Sequence, residues 1–190
     1  MSDAAARALR RAVFLDRDGV LNEALVRDGR PYPPTSVDDV VLRPGVREAC
    51  RALADAGALL VVVTNQPDLA RGTADRARVD AINDHLTAEL GLDGVRVCPH
   101  DDHDGCGCRK PLPGLILDAA DEFGVDLARS LMVGDRWRDI EAGARAGVTT
   151  VWVRSDYRER APEAPDHVVE GLADVVPLIT YASTRKEAPQ

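Results

Sequence analysis

The chain has 190 residues, 45% of them hydrophobic and 29% charged, which is typical of one folded domain and excludes disorder throughout. Its formal net charge of −8 would repel a phosphate backbone, so nucleic acid is not expected as a partner. Residues 1–12 are followed by too few apolar residues for a secretory signal, and the longest apolar run is too short to cross a bilayer. We therefore expect a cytoplasmic protein with no membrane partner.

Short apolar runs alternate with amphipathic segments along the chain. We predict strands over 13–15, 59–63, 95–97, 131–133, 150–153 and 168–169. The predicted helices run from 44 to 57, from the N-cap Thr73 to 91, and over 111–123, 140–146 and 172–179. Residues 22–43 contain three prolines, and we expect them to form a long loop over the strand ends that touches ligand.

This alternation of strands and helices is typical of an α/β fold. It predicts a doubly wound, mainly parallel sheet with helices on both faces. A second domain would require a long insertion with its own core, and the sequence has none. We expect one domain over 13–180, between an N-terminal extension at 1–12 and a C-terminal tail at 181–190.

Polar side chains follow several of the predicted strands at the point where each strand ends. Asp16 and Asp18 follow the first strand one residue apart, so their side chains point to the same side. Two carboxylates this close repel unless a cation joins them, and hard oxygen ligands of this kind suit Mg²⁺. Asp-x-Asp-Gly also occurs in solvated turns. The residues at the other strand ends therefore indicate whether this stretch is a turn or a metal site.

The carboxyl ends of parallel strands meet at one edge of a sheet, where open α/β folds bind ligands. There we expect a set of polar residues from separate parts of the chain: Asp16, Asp18, Thr64, Asn65, Arg109, Lys110, Asp135 and Asp139. The set offers acids for a metal, a hydroxyl and an amide for phosphate oxygens, and a lysine for the remaining charge. Together these groups predict a site for phosphoryl transfer.

Four motifs in this order resemble those of the haloacid dehalogenase (HAD) superfamily of phosphatases. They are FLDRDGVLN at 14–22, TNQ at 64–66, RKP at 109–111 and GDRWRD at 134–139. The resemblance covers 13–179. Within the superfamily it is most specific to the capless subgroup, which contains phosphatases of heptose bisphosphate and of histidinol phosphate. It implies a Rossmann-like fold with no cap domain and with a zinc-binding loop.

The resemblance also implies a role for each acidic residue. Asp16 is expected to attack phosphorus as the nucleophile, and Asp18 to protonate the leaving oxygen and later to take a proton from water. The expected magnesium ligands are the Asp16 carboxylate, the Asp18 backbone carbonyl and Asp135, with Asp139 in support. Thr64 and Lys110 are expected to act in catalysis by holding the phosphoryl oxygens. The expected substrate-binding residues are Asn65, Gln66, Arg109 and Arg136, the last of which stands where the family usually has lysine.

Three of the four cysteines lie close together beside histidines, a pattern that favours metal over disulfides. Soft or borderline ligands at this spacing suit a structural, four-coordinate Zn²⁺. The loop at 98–108 therefore predicts a zinc site, and the ligands are Cys98, His100, Cys106 and Cys108. His103 is a spare donor, but the family pattern uses His100. We expect the zinc to order the loop that precedes Arg109.

The expected substrate is a small phosphorylated sugar, most specifically heptose 1,7-bisphosphate at carbon 7. Histidinol phosphate is the alternative, because the subgroup contains both activities. An acidic substrate loop would favour histidinol, and a basic one a second phosphate. The loop at 22–43 has Arg27 and Arg30 against Glu23 and Asp28, with Asp38 and Asp39 further on, so it leans only slightly towards a sugar phosphate. A phosphatase of nucleic-acid ends and an inactive scaffold built on the zinc loop are the weaker alternatives. We expect a monomer.

Overall fold

The structure, a computed structural model, describes residues 9–179. Most of the predicted extension (1–8) and the whole predicted tail (181–190) lie outside the described residues. The strands are β1 (Ala12–Leu15), β2 (Leu25–Arg27), β3 (Arg30–Tyr32), β4 (Leu59–Asn65), β5 (Gly94–Cys98), β6 (Leu131–Gly134), β7 (Thr149–Val153) and β8 (His167–Val169). The α-helices are α1 (Val46–Asp55), α2 (Arg76–Leu90), α3 (Gly114–Phe123) and α4 (Trp137–Ala146).

Six strands form one parallel sheet in the order β5-β4-β1-β6-β7-β8. Successive side chains of a strand point to opposite faces, so each face of the sheet has its own core. On one face Val13 and Leu15 pack in a core with α1 and α2. On the other face Phe14 packs in a core with α3 and α4. The predicted doubly wound α/β fold is confirmed.

The predicted loop at 22–43 contains a two-stranded antiparallel hairpin, formed by β2 and β3. Its turn residues Asp28 and Gly29 have φ values of 50° and 74°, as the tight turns of hairpins require. Apart from this hairpin, the residues between β1 and α1 contain a 3₁₀ turn at Val37–Asp39 and isolated bridges from Asn22 to Asp18 and to Leu42. Within the described chain this insertion is too small to be a cap domain.

The starts of all four α-helices differ from the prediction, and α1 begins at Val46 rather than 44. Thr73 is not the N-cap of α2, because Asp75 takes that place and accepts a hydrogen bond of 3.0 Å from the backbone of Ala77. Helix α3 begins at Gly114 rather than 111, since the residues before it form a separate turn. Helix α4 begins at Trp137, three residues earlier than predicted. The predicted closing helix is a 3₁₀ turn at Leu172–Val175 followed by a helical turn at 176–179.

Strand β1 is hydrogen-bonded to β4 on one side and to β6 on the other. The connections from β1 therefore diverge at this point, and such switch points leave a crevice outside the carboxyl ends of the strands. Asp16, Thr64 and Asp135 all lie at these ends. None of the helices in residues 9–179 is long and apolar enough to cross a membrane.

Candidate active site and metal sites

A cleft of about 580 Å³ opens at the carboxyl ends of β1, β4 and β6. Residues from six separate stretches of the chain line it. They include every predicted catalytic and substrate-binding residue: Asp16, Asp18, Thr64, Asn65, Gln66, Arg109, Lys110 and Arg136. The fold thus brings these residues together in one cavity, as the position of the strand ends predicts.

Three buried carboxylates meet at the ends of β1 and β6, and two of them, Asp16 and Asp139, line the cleft. One oxygen of each of Asp16, Asp135 and Asp139 lies within 4.8 Å of the other two. Burial raises the pKa of Asp16 to about 6, and burial together with the charges of Asp16 and Asp139 raises the pKa of Asp135 well above its usual range. Asp135 Oδ1 is buried and accepts no hydrogen bond from the described residues. Carboxylates that repel one another, one of them with a buried oxygen that has no donor, fit a magnesium ion.

Lys110 is the cation that the structure places among these acids. Its ammonium, almost fully buried, lies 2.7 Å from Asp16 Oδ1 and 2.6 Å from Asp139 Oδ1, and it donates to the carbonyl of Val63 at 2.7 Å. Burial lowers the pKa of Lys110, but the charges of Asp139 and Asp16 outweigh this and leave the pKa above its usual value. The backbone of Lys110 is held in turn by Asn65, whose side chain donates to its carbonyl at 3.0 Å and accepts from its N–H at 3.1 Å. Asn65 therefore positions Lys110.

Asp18 lies beside the carboxylate cluster and is held by three donors. The buried guanidinium of Arg17 pairs with its carboxylate at 3.0 Å, and Asn22 donates to Asp18 Oδ1 at 3.0 Å. Gln66 Nε2 donates both to Asp18 Oδ2 and to Thr64 Oγ1, each at 3.0 Å. Gln66 thus orients two of the predicted catalytic side chains, in addition to lining the cleft.

Sequence analysis did not identify several residues that hold the predicted site residues in place. They are Arg17 (bonded to Asp18), Asp102 (to Arg109), Tyr157 (to Asp135) and Glu159 (to Arg136). The position of Arg17 between two motif aspartates was the available signal for that residue. Tyr157 and Glu159 follow β7 in an irregular segment, where no periodic pattern points to them.

The cysteine cluster forms a second group of potential metal ligands. Cys98 Sγ lies 3.7 Å from Cys106 Sγ and 3.1 Å from Cys108 Sγ, and His100 Nδ1 lies 3.3 Å from Cys108 Sγ. Sulfur atoms bound to one tetrahedral Zn²⁺ are about 3.8 Å apart, given Zn–S bonds of about 2.3 Å. None of these thiols is in a disulfide. The cluster is compatible with zinc, and the exposed His103 is not among its ligands.

The chain is similar to known phosphatases over most of its length. A model of the HAD-hydrolase-like family matches residues 107–175. The D-glycero-beta-D-manno-heptose-1,7-bisphosphate 7-phosphatase of Bordetella bronchiseptica is 42% identical over 140 residues, which are 71% of this chain and 75% of that protein. The chain belongs to the heptose-1,7-bisphosphate 7-phosphatase family of HAD-like hydrolases.

Members of this family that resemble the chain are named for either anomer of the sugar. The D-glycero-alpha-D-manno-heptose-1,7-bisphosphate 7-phosphatase of Burkholderia mallei is 37% identical over 183 residues, covering 90% of this chain and 94% of that protein. The crystal structure of the D,D-heptose 1,7-bisphosphate phosphatase from B. bronchiseptica, complexed with magnesium and phosphate, has a TM-score of 0.77 at 37% identity. That likeness covers 90% of this chain and 99% of the other. The family resemblance expected from the four motifs is confirmed.

Proposed function

We propose that this chain is a magnesium-dependent phosphatase that removes the 7-phosphate of D-glycero-D-manno-heptose 1,7-bisphosphate. The observation that carries the proposal is a cluster of three buried carboxylates at an open cleft, two of which pair with the Lys110 ammonium. Acids that can hold a metal and a cation that can face phosphoryl oxygens are the groups that phosphoryl transfer requires. The names of the relatives support the same substrate over histidinol phosphate.

In the proposed mechanism Asp16 is the nucleophile. An oxygen of its carboxylate forms a bond to phosphorus, the bond from phosphorus to the ester oxygen breaks, and Asp18 gives its proton to the departing alcohol. Asp18 then takes a proton from a water molecule, whose oxygen attacks phosphorus and releases phosphate and Asp16. Lys110 and Thr64 hold the phosphoryl oxygens while negative charge develops on them.

Magnesium would be held by the carboxylates of Asp16 and Asp135 and by the backbone carbonyl of Asp18. When bound, it supplies positive charge that neutralises the phosphoryl group and the acids around it. Asp139, which pairs with Lys110 and accepts a hydrogen bond of 3.0 Å from the backbone of Arg136, would support the site without binding the metal. These assignments follow the expectations from the motifs.

The remainder of the cleft supports a substrate with a second negative charge. Its wall carries several arginines, and most of them are paired with acids: Arg71, Arg109, Arg136 and Arg138. Two others, Arg30 and Arg158, make no ion pair with any residue from 9 to 179 and are exposed. Unpaired guanidinium groups are suited to the 1-phosphate of a bisphosphate. They would repel the amine of histidinol phosphate.

For the second metal, the proposal is a structural zinc held by Cys98, His100, Cys106 and Cys108. A site with four protein ligands has no open position, so it stabilises structure rather than taking part in chemistry. Arg109 follows the loop directly and donates to the carbonyl of His100 at 3.1 Å. The zinc would therefore fix the position of Arg109 at the rim of the cleft.

The test is phosphate release from both anomers of heptose 1,7-bisphosphate and from histidinol phosphate, with and without Mg²⁺. We expect kcat/KM to be highest for one bisphosphate anomer, and release to depend on Mg²⁺. A preference for histidinol phosphate would keep the mechanism and change the substrate, whereas no release from any of the three would refute the proposal. We further propose that the enzyme acts as a cytoplasmic monomer, which light scattering and cell fractionation would check.

A further inference from the structure

The segment at 155–159, after β7, crosses the end of the sheet beside the carboxylate cluster. Ser155 Oγ donates to the backbone carbonyl of Asp135 at 2.7 Å, and the hydroxyl of Tyr157 donates to Asp135 Oδ2 at 2.7 Å. Two residues further on, Glu159 accepts from Arg136 Nε at 3.0 Å. One short segment thus contacts both adjacent residues of the fourth motif.

The same segment is also held from its other side. The backbone N–H of Arg158 donates to the carbonyl of Gly29, in the turn of the hairpin, at 2.7 Å. A Cβ at Gly29 would lie 2.5 Å from Arg158 Cγ, so the hairpin turn and the segment at 155–159 are in close contact there. The hydroxyl of Tyr157 is therefore presented to Asp135 by a segment with fixed contacts on both sides.

The two oxygens of Asp135 differ in their hydrogen bonds. The torsion that turns a carboxylate is soft, so an aspartate without donors can present either oxygen in many orientations. The hydroxyl of Tyr157 occupies Oδ2, while Oδ1 is buried and accepts no hydrogen bond from residues 9–179. Gly19 also packs against Asp135 Oδ2. A Cβ at Gly19 would overlap that oxygen and would lie 2.9 Å from the hydroxyl of Tyr157.

We propose that Tyr157 is a positioning residue, which holds the Asp135 carboxylate so that Oδ1 is directed to magnesium. The inference rests on the proposed magnesium-dependent function and adds a residue that none of the four motifs contains. Partners that orient a metal-binding residue in this way commonly change metal affinity by 10- to 100-fold when they are removed. Tyr157 acts on the metal through Asp135 and does not itself touch the reacting groups.

The experiment compares the variant Tyr157→Phe with the wild-type protein, both purified without chelators. Phenylalanine keeps the ring and removes the hydroxyl, so the packing of the segment is retained. The matched control is Tyr32→Phe, since the hydroxyl of Tyr32 makes no hydrogen bond within the described part of the chain. Mg²⁺ alone is titrated into each protein by calorimetry, and the melting temperature is recorded without Mg²⁺. We expect the Kd for Mg²⁺ to rise about 10-fold in Tyr157→Phe and to stay unchanged in Tyr32→Phe.

A second readout separates metal positioning from a general loss of structure. Phosphate release is measured over a range of Mg²⁺ concentrations, and we expect the kcat of Tyr157→Phe to return to the wild-type value at high Mg²⁺. An unchanged Kd would overturn the inference, and so would a lower melting temperature without a change in Kd, because that result would show a purely structural role. Failure of the wild-type protein to bind Mg²⁺ at all would instead refute the proposed metal site and, with it, the inference.

Discussion

Lys110 offers the sharpest test of how the carboxylate cluster is stabilised. The substitution Lys110→Met keeps the length and the apolar stem of the side chain and removes its charge. It leaves Asp16 Oδ1, Asp139 Oδ1 and the carbonyl of Val63 without the ammonium that now lies 2.6 to 2.7 Å from each. In the absence of a bound metal, Asp16 and Asp139 then lose the cation that pairs with both of them.

The expected loss of stability is large because the pair is buried. Removing one partner of a buried ion pair costs about 3 to 5 kcal/mol, since the other charge stays in a poorly solvated place. The free energy of unfolding of a domain is about 5 to 15 kcal/mol in total, so this loss would be easy to detect. Magnesium would partly replace the missing charge beside Asp16. We therefore expect the difference from wild type to become smaller when Mg²⁺ is added.

The assay is urea unfolding, with and without Mg²⁺, in a buffer free of chelators so that any zinc is retained. The matched control is Arg76→Met, which removes a cation from an exposed pair with Asp80 on the surface of α2. Such a pair contributes about 0.5 kcal/mol or less. If Lys110→Met lost less than about 1 kcal/mol without Mg²⁺, the reasoning from a shared buried ammonium would be refuted.

Three further substitutions test other parts of the site. Asp16→Asn should lower turnover by at least about 10³-fold and leave the circular dichroism spectrum unchanged, because it removes the nucleophile and keeps the shape; near-normal turnover would contradict the mechanism. Gly19→Ala should weaken Mg²⁺ binding at least about 10-fold in calorimetry, since a Cβ would overlap Asp135. Its control is Gly57→Ala, where φ is also positive but the space is open; equal Mg²⁺ affinity in both would argue against the overlap. Cys106→Ser should lower the zinc content and the melting temperature. The control Cys50→Ser, which lies outside the cluster, should keep its zinc. A zinc content unchanged by Cys106→Ser would count against Cys106 as a ligand.

The sequence predicted those parts of the site that follow directly from a strand. Asp16 and Thr64 come at the ends of continuous apolar runs, and the parallel sheet then determines that they meet. The cysteine spacing was similarly informative, because the four residues that the structure brings together as potential metal ligands lie within one short loop. In each of these cases a local sequence pattern identifies the residues, and the fold adds only that they lie close together.

The contacts that the sequence did not predict depend on distant residues or on competing local signals. Tyr157 is 22 residues from Asp135 and lies in a segment with no periodicity, so nothing local indicates its role. Asp28 and Gly29 are a typical hairpin turn, but Pro31 in the following strand argued against a sheet there. Thr73 and Asp75 are both suitable N-caps, and only the structure shows which of them accepts the helix N–H.

The two cations of the third motif depend on different parts of the molecule, although they are neighbours in sequence. Lys110 is held by Asn65 of β4 and by the carboxylates at the sheet, none of which belongs to the zinc loop. Arg109 instead donates to the carbonyl of His100 and to Asp102 at 2.8 Å, and both of these lie within the loop. Loss of zinc should therefore disturb Arg109 first and leave the ammonium of Lys110 in place. Since we assign Arg109 to substrate binding and Lys110 to the phosphoryl group, the metal in the loop would act mainly on KM, and the magnesium site mainly on kcat.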